Sequence, residues 1–265
     1  MSLFPRDAYL ERLGLSEAPS VSEEGLRAMH AAQVFAMPFE NLDIHLGRPI
    51  SLEPCHLAEK LIERRRGGYC FELNGVFAMA LDGFGFAARR QLARVVYGGS
   101  TPGARLHQVM LITLGSRRWL GDTGFGAPGL RTPIPLELDR IEEQFGERFR
   151  LVRPADYQFA LQKESDAGWL DLYVFTEEPT IQADIDIANH YTSTHPLSSF
   201  RLRRVAARLE PWGRVTLHNM TLTTFRNGHE EAATLDPGPA YMDALVDKLG
   251  LDLRASYDDF MPLPA

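Results

Sequence analysis
The chain has 265 residues, 45% hydrophobic and 24% charged, with a net charge of −7. These proportions suit one large globular domain or two to three small ones, and they leave no overall basic field to attract nucleic acid or anionic lipid. Two cysteines, Cys55 and Cys70, are too few for a disulfide scaffold and fit a reducing compartment, so a cytoplasmic protein without membrane or nucleic-acid partners is expected.

No apolar run approaches the roughly 18 residues of a membrane span. Arg6, Asp7, Glu11 and Arg12 interrupt the start, so no secretory leader is expected. Residues 1–88 then read as helical. Pro5 suits the first turn of a helix that Gly14 ends after Leu13. Ser20 and Glu23 have capping-box spacing for a second helix, which runs to Ala36 and is stopped by Pro38. Residues 39–52 are irregular and punctuated by Pro and Gly. Within them Glu40 and Asn41 read as a buried pair satisfying backbone groups, in preference to substrate contacts. Pro54 starts a third helix, which carries Cys55 and runs toward Arg65.

Arg64, Arg65 and Arg66 follow. They fit a solvated face, or one of them pairs with Glu72 or Glu40 and braces the next turn. Gly67 and Gly68 let the chain turn sharply and leave room for a substrate. After Cys70, apolar residues fall at Leu73, Val76, Phe77, Ala80, Leu81 and Phe84, which is helical spacing. Cys70 therefore stands in the first turn of a helix buried on one face. A thiol there is either a buried structural cysteine or a thiolate favoured by the positive helix end and unpaired N–H groups. The local context fits both.

From Phe86 to about Thr180 the period changes to two. Strands are predicted at 91–97, 106–114, 117–122, 149–153, 157–162 and 170–175, suggesting a small antiparallel barrel or curled sheet. If Gly115-Ser116 is a two-residue turn, Leu114 pairs with Arg117 and Asp122 lies opposite Val109. His107 is two residues from Val109, so it shares a face with Asp122 at about 7–8 Å along the backbone. A slip of one residue would separate them. The hairpin thus presents an oriented His–Asp pair, to which the cysteine helix can bring a nucleophile. No Gly-x-Ser-x-Gly elbow occurs, so serine hydrolysis is unsupported. Residues 124–129 match Gly-x-Gly-x-x-Gly, but Pro128, Pro133 and Pro135 forbid the helix a dinucleotide site needs. The segment is a loop leaving the Asp122 strand. Residues 186–265 mix types: a turn-rich stretch at 189–200, strands at 202–209 and 214–225, and an amphipathic helix at 241–249. His190 and His195 have no cysteine or acid at metal-ligand spacing, so no metal site is expected.

The stretch Arg66-Gly67-Gly68-Tyr69-Cys70-Phe71-Glu72-Leu73-Asn74 resembles the active-site signature of the arylamine N-acetyltransferases. Residues 37–43 and 46–49 resemble a second motif of that family. His107, Asp122-Thr123-Gly124-Phe125-Gly126 and residues 189–200 match later blocks in order. The resemblance covers most of the chain and is strongest from 35 to 135. It implies an α+β fold in three parts: an N-terminal helical bundle (1–88) carrying the nucleophile, an antiparallel β-barrel-like middle domain (89–185) carrying His and Asp, and a C-terminal α/β lid (186–265). It further implies a cysteine-protease-like triad of Cys70, His107 and Asp122. The implied chemistry is ping-pong acetyl transfer through S-acetyl-Cys70, in xenobiotic metabolism. Acetyl-coenzyme A would be a cosubstrate, with no tightly bound cofactor, and arylamines or hydrazines the acceptors. Gly124, Phe125 and Gly126 would then border the coenzyme, their small residues letting the pantetheine arm pass close to the backbone, although a plain turn fits them too. Phe39, Tyr69, Phe125 and Phe200 would stack on the acceptor, although Phe200 also suits an ordinary core position. Thr123 and Ala127 depart from the family pattern, where a more apolar residue and a glycine are expected, and bear on acceptor preference. The rival readings are an amide synthase of secondary metabolism, a transglutaminase-like or papain-like hydrolase, and a non-catalytic binding module.

Overall fold
The computed structural model describes residues 4–99 and 101–263. Helix α1 (Arg6–Leu13) ends where Gly14 turns left-handed at φ 71°. Helix α2 (Glu23–Ala36) is capped by Ser22, whose side chain accepts from the Gly25 N–H. The cap therefore lies two residues beyond the predicted Ser20. The Ser20 carbonyl presses on Gly25 instead, 2.1 Å from where a Cβ would stand. A two-residue strand β1 (Phe39–Glu40) and a single turn α3 (Leu42–His45) occupy the irregular segment. Helix α4 (Pro54–Leu57) continues into a π-helical turn at Ala58–Glu63.

Helix α5 (Cys70–Gly83) is the axis on which the rest packs. Its apolar residues Leu73, Val76, Phe77, Ala80 and Leu81 are buried against Tyr9, Leu26, Met29 and Leu61 on the helical side, and against Met110, Ile112 and Trp119 of the sheet. Burial on both sides anchors the helix start without help from its own length.

The middle of the chain forms strands β2 (Ala87–Val95), β3 (His107–Leu114), β4 (Arg117–Gly121), β5 (Ile134–Pro135), β6 (Glu142–Gln144), β7 (Glu147–Val152), β8 (Phe159–Ser165) and β9 (Gly168–Phe175). All six predicted strands are present with shifted ends, and the short β5 and β6 add to them. They form one antiparallel sheet in the order β5-β4-β3-β2-β9-β8-β7-β6. The sheet nearly closes on itself. Gln144 of β6 reaches back to the segment before β5, accepting from the Arg131 and Thr132 N–H groups at 2.9 and 3.0 Å. In the β3–β4 hairpin Leu114 pairs with Arg117 and Met110 with Gly121, the register that a two-residue turn predicts.

Beyond the sheet the structure departs more from the sequence reading. The first half of the stretch predicted to be turn-rich, 189–194, lies in helix α6 (Gln182–Thr194), and a turn follows at 196–197. The hydroxyls that suggest turns bond back along the helix, Ser193 to the Asn189 carbonyl and Thr194 to the His190 carbonyl, so they do not compete with it. A single turn α7 (Ser199–Leu202) precedes β10 (Val205–Glu210), β11 (Gly213–His218), β12 (Thr221–Arg226) and β13 (His229–Thr234). The strand predicted over 214–225 is thus a hairpin, turned at Asn219 with φ 55°. β13 was not predicted, because all six of its residues are exposed and it shows no alternation. Helix α8 (Pro239–Leu249) packs on one face of this second sheet, whose order is β1-β10-β11-β12-β13. Strand β1 joins it through Phe39 opposite Ala207, tying residue 39 to the C-terminal region. No helix among the described residues is long and apolar enough to cross a membrane.

Candidate active site
The turn before Cys70 is held by buried ion pairs. Arg66 Nη2 lies 2.6 Å from Glu40 Oε1 and 3.0 Å from Asp43 Oδ1. Lys60 Nζ lies 2.7 Å from both Asp43 Oδ2 and Glu72 Oε1. Glu72 Oε2 then accepts the Tyr69 N–H at 3.1 Å, closing the first turn of α5. One arginine of the run does brace the turn, and Glu72 takes Lys60 as its cation. The facing carboxylates hold Lys60 and Arg66 protonated well above their ordinary range against the cost of burial, and those cations hold Asp43 well below its own.

Gly67 is needed for contact, not for an open turn. A Cβ there would stand 2.3 Å from the Pro38 carbonyl oxygen. The space expected for a substrate beside Gly67-Gly68 is filled by residues 38–40, with the Glu40 N–H donating to the Gly68 carbonyl at 2.8 Å. The sharp backbone position is Arg65, at φ 53°. Glu40 and Asn41 satisfy backbone groups as the sequence suggests. Glu40 Oε2 accepts from the Leu42 N–H at 2.7 Å. Asn41 donates to the Phe200 and Arg203 carbonyls at 3.0 and 2.7 Å and accepts from the Val205 N–H at 2.8 Å.

Cys70, His107 and Asp122 meet beyond that turn, each under 5% exposed. His107 Nε2 is 2.7 Å from Asp122 Oδ2, and the imidazole also bonds the Cys70 side chain. The pairing through Nε2 leaves Nδ1 to the sulfur, and Cys70 Sγ lies 3.7 Å from the Leu106 carbonyl oxygen. Burial alone would lower the imidazole's proton affinity. The Asp122 charge and hydrogen bond, with the bond to Cys70, outweigh it and push His107 up to about 10. Asp122 moves the other way. Burial opposes its charge, but His107, the Asn74 amide and the Gly124 N–H hold it below the usual carboxylate range.

The groups around Asp122 escaped the sequence reading. Asn74 Nδ2 donates to Asp122 Oδ1 at 2.9 Å and to the Gln108 carbonyl at 2.6 Å. Its Oδ1 accepts the Thr123 N–H at 3.0 Å. His30 Nε2 accepts the Asp122 N–H at 3.0 Å and Nδ1 contacts the Arg131 carbonyl at 3.1 Å, which requires the neutral ring with its proton on Nδ1. Burial pushes His30 down to about 4, in keeping with that tautomer. A chain of hydrogen bonds runs inward from Asn74. Thr123 Oγ1 donates to Asn74 Oδ1 at 3.3 Å and accepts from Gln33 at 2.9 Å, and Gln33 accepts from Tyr9 Oη at 2.6 Å. A signal for these groups exists in the sequence. Asn74 is one helical turn from Cys70, and His30 and Gln33 are polar residues on the apolar face of α2.

A cavity of about 410 Å³ opens onto Cys70 and His107. Gly124, Phe125 and Gly126 line it, as do Phe39 and Phe200. Phe125 meets the His107 ring edge-on at 5.0 Å between centroids. Tyr69 does not line it. That ring is fully buried behind Phe200, and its hydroxyl bonds Asn189 of α6. Gly124 serves packing first, since a Cβ there would come within 2.8 Å of both Cys70 Cα and Asn74 Nδ2. Among the described residues no group of three or more His, Cys, Asp and Glu could hold a metal ion.

Comparison with known proteins agrees over nearly the whole chain. A family model described as N-acetyltransferase matches residues 23–257. The arylamine N-acetyltransferase of Mycolicibacterium smegmatis is 36% identical over 251 residues, covering 92% of this chain and 91% of that protein. The solved arylamine N-acetyltransferase of Salmonella typhimurium superposes with a TM-score of 0.90 at 32% identity, covering 98% of this chain and 96% of that one. The Mycobacterium marinum enzyme, solved in complex with CoA, superposes with a TM-score of 0.89 at 32% identity and covers 96% of each chain.

Proposed function
This chain belongs to the arylamine N-acetyltransferase family, a family of acyltransferases, and on that premise we propose that it transfers acetyl from acetyl-CoA to an arylamine or hydrazine through S-acetyl-Cys70. The observation that carries this reading is the buried contact of Cys70, His107 and Asp122 at the wall of a cavity. His107 takes the Cys70 proton, and the charge it gains is balanced by Asp122. The thiolate adds to the thioester carbonyl. The Tyr69, Glu72 and Leu73 N–H groups are bonded within the first turn of α5, so we assign the oxyanion to those of Cys70 and Phe71. Collapse expels the coenzyme thiolate, which takes the proton from His107. The amine then adds to the acyl-enzyme, His107 removes its proton, and Cys70 leaves as thiolate. An aromatic amine is weakly basic, so it arrives neutral and nucleophilic. Burial of the three groups keeps water from the acyl-enzyme.

Gly124, Phe125 and Gly126 are proposed to border the coenzyme, and Phe39, Phe125 and Phe200 the acceptor ring, because all of them line the cavity. The division at 88 and 185 into bundle, barrel and lid stays part of this reading. The end of α5 at Gly83, the start of β2 at Ala87 and the start of α6 at Gln182 lie near those bounds, although 88 and 185 themselves fall just inside β2 and α6. The test is intact mass spectrometry after incubation with acetyl-CoA alone. One acetyl group is expected, mapped to Cys70 and absent from Cys70→Ser. Labelling confined to the exposed Cys55, or no label, would overturn the reading.

A further inference from the structure
We propose that Arg203, with His218 beside it, forms an anion-accepting end of the cavity, so that the ligand brought to Cys70 carries a negative group there. The proposal rests on the acetyl-transfer reading and adds the charge of the substrate to it.

Strand register sets the geometry. Phe39 lies opposite Ala207, Ala207 opposite Thr216, and Val205 opposite His218. These five residues therefore share one face of β1, β10 and β11, and all five line the cavity. Arg203 lies two residues before Val205, continues that face by period two, and also lines the cavity. The other face carries Ala206 and Leu217 into the core beneath Tyr241 and Leu245 of α8. One wall of the cavity thus carries Cys70 and His107, and the C-terminal sheet adds a wall with a cation at its end.

Arg203 is fixed at its backbone and uncommitted at its tip. Its carbonyl accepts from Asn41 at 2.7 Å and contacts His45 Nε2 at 3.0 Å, both buried side chains. Among the described residues its guanidinium has no hydrogen bond or ion pair. The neighbouring Arg204 differs: it donates to the Met261 carbonyl at 2.8 Å and packs over the Phe260 ring at 4.3 Å. Among the described residues no Asp or Glu lines the cavity. Arg203 is exposed at the rim of this aromatic, acid-free space, and a guanidinium there favours a planar or tetrahedral anion held by paired N–H groups. Two sources share that chemistry: a carboxylate on the aryl acceptor and a phosphate of the acyl donor.

Steady-state kinetics of the wild type, Arg203→Gln and Arg203→Lys test this with two matched pairs of probes. The acceptor pair is para-aminobenzoate and its neutral amide. The donor pair is acetyl-CoA and para-nitrophenyl acetate, followed in the acylation half-reaction. In Arg203→Gln the charged-to-neutral ratio of kcat/KM is expected to fall about tenfold for at least one pair, the worth of one charge-assisted hydrogen bond. Arg203→Lys should recover part of the ratio, and salt should lower it in the wild type. A fall in the acceptor pair assigns the carboxylate, and a fall in the donor pair assigns the phosphate. Unchanged ratios in both pairs, or equal losses for charged and neutral probes, overturn the anion site. Failure of the wild type to acetylate any amine would instead overturn the acetyl-transfer reading.

Discussion

Two buried charged clusters flank the first turn of α5, and they do different work. In one, Glu40, Asp43 and Glu72 face Lys60 and Arg66, every acid within 3.0 Å of a cation. In the other, Asp122 is held by His107, Asn74 and the Gly124 N–H, while the Cys70 sulfur has the imidazole and a carbonyl at 3.7 Å, and faces the cavity. The first cluster adjoins the larger space, about 540 Å³ against about 410 Å³. Its lining pairs Arg48 and Lys60 with Asp43 and Glu72, and Arg64 with Glu59, so most of the charges there are already matched. Neither charge density nor volume distinguishes the proposed active site. Its mark is a thiol that faces the cavity beside an acid whose hydrogen bonds are filled.

Substitutions can break that contrast. The largest effect is expected at Cys70→Ala, where acetyl transfer should fall on the order of 10⁴-fold or more with little change in the unfolding midpoint. Asp122→Asn should lower the single-turnover acylation rate on the order of 10³- to 10⁴-fold, since an amide cannot balance the imidazolium. Arg66→Met belongs to the other cluster. It leaves buried carboxylates short of a cation and should lower stability by about 3–5 kcal/mol in urea, with activity following the folded fraction. If acylation per folded molecule collapsed as well, the two clusters could not be treated as separate.

The pH dependence of stability sharpens the comparison. His107 stands near 6.5 in the unfolded chain and is pushed up to about 10 in the folded one. The folded state holds the proton more tightly, so this contribution is complete below about pH 6.5 and is lost as pH rises toward 10. Urea unfolding across that window should show stability declining, and His107→Gln should flatten the decline. The smallest effect is expected from Thr123→Val, which breaks the chain between Gln33 and Asn74. It should cost about 0.5–1.5 kcal/mol, because Gln33 keeps the Leu73 carbonyl as a partner at 2.9 Å.

Some of the architecture was already legible in the residues. The glycine pair followed by apolar residues at helical spacing marks Cys70 as a helix start, because periodicity is a local property. The two-residue turn at Gly115-Ser116 determines the hairpin register, and with it the shared face of His107 and Asp122. The glycines flanking Cys70 were harder to read. Gly67 is small because Pro38 approaches it, and Gly124 because Cys70 and Asn74 do.

What the sequence alone determined, then, is the order of helices and strands around the thiol and the alignment of one hairpin, each governed by neighbours a few positions away. Tertiary structure decided which polar groups are paired. His30 supports the acid from 92 residues away, Gln33 reaches Thr123 from 90, α6 claims Tyr69 for Asn189, and β1 crosses to the C-terminal sheet. Hydrogen bonding inside a core is set by whatever the fold brings within 3 Å, and separation along the chain carries no record of it.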